Sequence, residues 1–417
     1  MPKLAIKGGT PVAPGGLRIK WPEFDDEERE ALLRVLESGH WWRGEREDSE
    51  VTKFEDEWAN FIGTKHAVAV SSGTAALIVA LRAAGIEAGD EVLVPTTTFV
   101  ATATAVVLSN AVPIFVDMLP DTYQMDPDAA EASITEKTRA IIVVHYAGYP
   151  CDMDRFVKIA EKHNLVLIED CAHAHGTEWR GKKVGSFGHF GCFSFQMSKV
   201  LTSGEGGAVN TDDDELSAMA FSQQHIGRLP GRPFYEFHLP AHNFRMTEWQ
   251  GAILRAQLRK LPRQIEIRHE TGEYLASELK KIGGVDPLPR DPRITKRSYY
   301  FFVIRYNKEE FGGVHRDKFL EALRAEGIPC GAGYGVPVHK NPLFQSMRFG
   351  RRGCPVKCPL YGREVDYSKV SLPVAERAHA EEQVTLPTHL LLGGREYADK
   401  VIEAIAKIKE NVDELRS

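Results

Sequence analysis

Over roughly its first 260 residues the chain alternates short apolar runs with stretches of helical periodicity. The runs are Ala67–Val70, Glu91–Pro95, Pro113–Asp117, Ala140–His145, Leu165–Asp170, Gly191–Phe195 and Gly207–Thr211. Most are rich in Val, Ile and Phe and lack a clean in–out alternation, which is how strands covered on both faces read. Between them, Leu77, Ala80, Leu81 and Ala84 share one face of a helix that follows Thr74, and Met153 to His163 reads as another helix. The pattern predicts an α/β fold whose large domain carries a mostly parallel seven-stranded sheet.

Leu254, Leu258 and Leu261 keep helical spacing through 247–261 and predict the start of a long helix leading into a smaller C-terminal α/β domain. That domain should hold a strand at Tyr299–Tyr306, a helix carrying Phe319, Leu320 and Leu323, and a last helix with Val401, Ile405 and Ile408 in its apolar stripe. The expected division is 1–260, with an N-terminal arm, and 261–417. The Gly- and Pro-rich segment Gly331–Gly353 reads as a long loop, of the kind that often carries function.

Composition narrows the classes. The 417 residues are 43% apolar and 26% charged, with a net charge of -6. No basic excess points to nucleic acid or an anionic membrane. No run approaches the ~18–20 apolar residues of a membrane span. The opening stretch from Met1 to Thr10 lacks a signal-peptide core, so a cytoplasmic protein is expected. The six cysteines are scattered and suggest no disulfide framework. Cys354 and Cys358 flank only Pro355-Val356-Lys357, with no second pair, so no metal is expected.

Two segments carry most of the chemistry. Asp170 closes Leu165-Val166-Leu167-Ile168-Glu169-Asp170, and Lys199 closes Ser194-Phe195-Gln196-Met197-Ser198-Lys199 ahead of Gly204-Glu205-Gly206-Gly207. A pyridoxal cofactor needs this combination: an amine to hold its aldehyde and an acid to keep its ring nitrogen protonated. Apolar neighbours favour a lowered lysine pKa, which suits the first task. The plainer alternatives are a solvated lysine at a strand end and an Asp that caps a helix. His173 could contact the ring hydroxyl or face; a packed histidine is the alternative, and His175 competes for the role. Ser71-Ser72-Gly73-Thr74 precedes a helix and offers free N–H groups and hydroxyls to a phosphate, with Ser194 as a second donor; an ordinary Ser/Thr cap is the alternative. Phe99 follows another strand and could stack on a flat cofactor or simply join the core.

In this order, the residues resemble the DegT/DnrJ/EryC1/StrS family of pyridoxal-phosphate aminotransferases. The likeness runs over nearly the whole chain, through Ser38-Gly39-His40-Trp41-Trp42, Asp90-Glu91-Val92-Leu93-Val94-Pro95, Asn243-Phe244-Arg245-Met246 and Pro337-Val338-His339. The resemblance implies a fold-type-I aminotransferase architecture and a homodimer with active sites at the subunit interface. It implies that Lys199 carries pyridoxal 5'-phosphate, Asp170 pairs with the ring nitrogen, His173 lies beside the ring hydroxyl and Phe99 stacks on the ring. Gly73, Thr74 and Ser194 would contact the phosphate, Asn243 with Arg245 would reach the phosphate of the neighbouring subunit, and His339 would lie near the substrate. Trp41, Trp42, Tyr334 and His339 become candidate walls for a sugar-like substrate.

Gln196 departs from the histidine found after the Phe in many sugar aminotransferases of the family. Together with Pro373-Val374-Ala375-Glu376-Arg377-Ala378 it looks more like the branch of scyllo-inosose aminotransferases and aminohydroxybenzoate synthases. The expected reaction is a ping-pong transfer of an amino group from glutamate or glutamine to a cyclic ketone, either a keto-sugar or an inosose. The alternatives are a non-catalytic regulator on the same fold and a pyridoxal enzyme of another reaction type, such as an aminohydroxybenzoate synthase or a lyase. Lys199 disfavours the family's dehydratases, in which histidine replaces the lysine.

Overall fold

The computed structural model describes residues 3–416 apart from 45 and 47. Each expected apolar run forms a strand: β1 His66–Val70, β2 Glu91–Pro95, β3 Val112–Val116, β4 Thr138–Val144, β5 Val166–Asp170, β6 Phe190–Ser194 and β7 Gly207–Thr211. They make one sheet in the order β1-β7-β6-β5-β4-β2-β3. β7 pairs antiparallel with β1 and β6, and the remaining pairs are parallel. Successive strand residues feed two buried clusters in turn. Leu93, Ile141, Val143 and Leu167 enter one, while Val92, Val94, Ile142 and Ile168 enter the other. Both faces are therefore core, which is why the strands read as continuous apolar runs.

The helix Gly73–Ala83 begins one turn beyond β1, where the Ser72 hydroxyl accepts from the Ala75 N–H at 3.1 Å. The expected helix at Met153–His163 is present, with Asp152 as its cap.

The helix foreseen at 247–261 runs on from Glu248 to Ile282, straight through the expected boundary near 260. Leu254, Leu258, Leu261 and Ile265 belong to the sheet's core. Leu275 and Leu279 belong to a further core with the three-stranded sheet of Val285–Pro287, Phe301–Tyr306 and Gln383–Pro387. The expected helices there are Arg316–Ala325 and Gly394–Glu410.

The chain's first residues pack on this second core, although the division at 260 assigned them to the first unit. Leu4 and Ala13 are buried in it. The Glu326 carboxylate accepts from the N–H groups of Ala5 and Val12 at 2.9 and 3.0 Å and pairs with Lys407 at 2.8 Å. The Gly331–Gly353 stretch is mostly irregular, as expected, but holds a 3-10 turn at Val338–Lys340 and a short helix at Pro342–Ser346. Asn341 caps that helix and Pro342 starts it. Its Phe344 is buried edge-on against Phe115, with centroids 4.9 Å apart.

Candidate active site

A cavity of about 440 Å³ opens at the carboxyl ends of the parallel strands, the place where open α/β sheets bind ligands. Asp170 ends β5, Ser194 ends β6, Val144 ends β4, Ser72 to Thr74 follow β1, and Thr98, Phe99, Ala101 and Thr102 follow β2; all contribute to its lining. Lys199 comes from the turn after β6, Tyr300 from the residue before the strand Phe301–Tyr306, and Tyr334 from the irregular stretch Gly331–Gly353.

Asp170 is almost wholly buried. Its carboxylate accepts from the Thr102 hydroxyl at 2.8 Å and the Ala172 N–H at 3.1 Å. Burial pushes the Asp170 carboxyl above its usual range, against the pull of these two donors and the Lys199 charge. The neighbouring Glu169 points its charge into a separate cage. It accepts from the N–H groups of Gly185, Phe187 and Gly188 at 2.7–2.8 Å and pairs with His145 at 3.0 Å. His145, Glu169 and Cys171 are close enough to hold a metal ion, but these bonds already occupy the Glu169 oxygens.

Lys199 is 8% exposed. Burial lowers its amine from the ordinary lysine value to about 8, partly opposed by the Asp170 charge. A usable share of neutral amine is thus present near neutrality.

Burial also holds His173 well below its usual pKa, so the imidazole is neutral. Its Nδ1 accepts from the Ala147 N–H at 3.3 Å, which leaves Nε2 to donate to the Tyr334 hydroxyl at 2.8 Å. His175 is packed instead in the core, where its Nε2 donates to the Ser194 carbonyl at 2.8 Å.

Gly73 sits hard against Ser194. A Cβ there would stand 2.5 Å from the Ser194 Cβ. Helix geometry leaves the first N–H groups of a helix without intrahelical acceptors, and Gly73 and Thr74, which begin this helix, both line the cavity. The Gly73→Ala substitution should crowd this cradle and weaken retention of a phosphate-bearing cofactor about tenfold. Equilibrium dialysis would measure the loss.

Phe99 is not a core residue. It is 52% exposed at the cavity rim, its ring 5.7 Å from that of Tyr334. The cavity thus gathers Gly73, Thr74, Phe99, Asp170, His173, Ser194, Lys199 and Tyr334.

Asn243, Arg245, Trp42 and His339 lie outside it. Asn243 and Arg245 pair in isolated bridges with His225 and Val70. The Arg245 guanidinium lies 5.6 Å from the half-exposed Trp42 ring. The expectation of a substrate wall at His339 meets a fully buried side chain, whose Nδ1 is 2.6 Å from the Thr96 hydroxyl and whose Nε2 donates to Glu376 at 3.0 Å.

Thr102, Tyr300 and Ser198 were not singled out from the sequence. Their contacts join segments distant along the chain, and a tyrosine or threonine in an apolar run carries no local chemical signal.

Comparison with known proteins identifies the family. The DegT/DnrJ/EryC1/StrS aminotransferase family model matches residues 22–406. A relative from Streptoalloteichus tenebrarius is 40% identical over 99% of each chain. An L-glutamine:2-deoxy-scyllo-inosose aminotransferase of Streptomyces kanamyceticus is 39% identical, over 98% of this chain and 97% of its own. The crystal structure of a 3-amino-5-hydroxybenzoic acid synthase superposes with a TM-score of 0.81 at 34% identity, covering 94% of this chain and 98% of that one. The chain belongs to the DegT/DnrJ/EryC1/StrS aminotransferase family and is an aminotransferase.

Proposed function

We propose that the cavity holds pyridoxal 5'-phosphate and that the protein moves an amino group from glutamine, or glutamate, to a cyclic ketone of the inosose or keto-sugar class by a ping-pong cycle. The observation that carries this reading is a buried carboxylate and a buried amine lining one cavity with a helix start. The donor set fits the group: Asp170 lacks a fully compensating cation, and the Gly73 cradle has no room for a side chain. Bound there, pyridoxal phosphate supplies an aldehyde that takes up amines and a ring that draws off electrons.

The chain's own residues do the rest. Asp170 holds a proton on the ring nitrogen. Lys199 Nζ would hold the aldehyde, and its amine, lowered by burial, would serve as the group that takes up and returns a proton. His173 stays neutral and would lie beside the ring, its Nε2–H donated to the Tyr334 hydroxyl. Gly73, Thr74 and Ser194 hold the phosphate, and Phe99 covers the ring.

Asn243, Arg245 and Trp42, which lie outside this protomer's cavity, serve the cavity of a second copy in a homodimer. His339 acts from behind by tying the Val338–Lys340 turn to Thr96. Relatives named for L-glutamine and inososes support glutamine and a cyclitol ketone. Six free cysteines suit a reducing, cytoplasmic setting. Among the described residues no helix is long and apolar enough to cross a membrane.

The test adds L-glutamine to purified, cofactor-loaded protein. The absorbance of the aldehyde form should give way to that of the amine form, and scyllo-inosose should restore it. Restoration by nucleotide-linked keto-sugars alone moves the chain to the sugar branch. A spectrum that no amino donor changes overturns the reading in favour of a binding protein.

A further inference from the structure

Tyr300 stands just ahead of the strand Phe301–Tyr306, packs in the core of the large sheet and lines the cavity. Its ring stacks on His173 with centroids 3.9 Å apart and planes 20° from parallel. The Lys199 Nζ lies 4.3 Å from the centroid of the same ring. The Tyr300 hydroxyl is 3.0 Å from Ser198 Oγ. Ser198 Oγ in turn donates to Gln196 Oε1 at 2.8 Å, so the phenol is the donor in the tyrosine–serine bond. Gln196 also accepts from the Ser198 N–H at 2.8 Å. The turn that bears Lys199 and the ring over which its amine lies are therefore fixed to each other.

We propose that Tyr300 is a positioning residue for Lys199: its ring face is where the ε-amine rests whenever it is not joined to the cofactor. This rests on the cofactor reading above. In a ping-pong cycle the lysine is released in every half-reaction and must stay close to the carbons between which it moves a proton. A flexible four-carbon stem would otherwise let the amine wander. An ammonium over an aromatic face is held electrostatically, and more strongly where water is excluded. Gln196 thereby gains a task that needs no contact with substrate: it orients Ser198, which orients the ring.

Several other groups face the amine. Asp170 at the end of β5 favours its charged form, His173 and His175 are held neutral by burial, and Cys192, Tyr334 and Glu205 are the other titratable groups of the lining. None of these changes when only the electronics of the ring at 300 are altered.

The experiment uses the full chain without cofactor. The rate at which added pyridoxal 5'-phosphate becomes fixed by borohydride is followed from about pH 6 to 10, and the modified residue is located by mass spectrometry. Wild type should react at Lys199 and faster as pH rises, with a midpoint near 8, because only the neutral amine attacks. Tyr300→Phe keeps the negative ring face but loses the bond to Ser198, so its midpoint should fall by less than that of a ring without the negative face. A ring-fluorinated phenylalanine placed at 300 keeps the shape but loses the negative face, and should lower the midpoint by about 0.5–1 pH unit. Equal midpoints in the phenylalanine and fluorinated proteins would overturn the role of Tyr300 while leaving the cofactor reading intact. An unmodified Lys199 in wild type would overturn both. Tyr300→Leu gives a second measure should the fluorinated protein not fold, with the same fall expected.

Discussion

The Lys199→Ala protein should bind pyridoxal phosphate without fixing it. Borohydride should leave no cofactor on the chain, and amino transfer should fall by about 10⁴-fold or more. One side chain supplies both the covalent anchor and the proton carrier, so no neighbour can replace it. Neither the Asp170 carboxyl nor the His173 imidazole is a primary amine, so neither can take up the aldehyde in its place. Affinity should survive in part, because Gly73, Thr74, Ser194 and Asp170 are untouched. Stability should move the other way. The folded amine titrates near 8 and the ordinary lysine near 10.5. Folding therefore opposes the charged form, at a cost on the order of 3 kcal/mol for a cofactor-free chain at pH 7. That cost is fully present below pH 8, fades between pH 8 and 10.5 and is gone above it. The cofactor-free alanine variant should thus melt no lower than wild type at pH 7 by calorimetry. A retained cofactor–lysine spectrum would refute the assignment.

Asp170→Asn should lower amino transfer by about 10²–10⁴-fold while the protein stays folded and Lys199 still takes up cofactor. The amide is nearly the same shape, but it brings no charge to hold a proton on the ring nitrogen. It also disturbs the two bonds seen here. Thr102 and the Ala172 N–H each donate to a separate Asp170 oxygen. An amide offers one oxygen, so one donor must face an NH₂ group, at a cost of about 1–3 kcal/mol. Thr102→Val separates the two effects: it removes one donor, keeps the charge, and should cost much less activity. Steady-state rates of the three proteins decide the matter, and an Asn variant as active as wild type would remove Asp170 from the mechanism.

The sheet was legible because both of its faces are core. Ile141 and Ile142 go to opposite sides and both are fully buried, so the run is apolar without interruption and only its edges are ambiguous. The long helix was legible just at its start. Its apolar stripe changes partner between Ile265 and Leu275, and Pro262 stands inside it. The docking of the N-terminal segment was not legible, since it depends on Glu326, more than 300 residues away in sequence. The site divides in the same way. Asp170, Lys199 and the Gly73 turn stand out locally because each sits at a strand exit with unusual neighbours. Thr102 and Tyr300 meet their partners 68 and 102 residues away, and neither has a local pattern that marks it.

The helix from Glu248 to Ile282 has a mechanical meaning beyond its length. Leu254 and Leu261 are fully buried at one end, and Leu275 and Leu279 at the other, so one helix is a wall of two apolar interiors. Melting either interior strips the other of a wall. Heating should therefore show one calorimetric peak, not two, and the slowest-exchanging amides should include the middle turns of this helix.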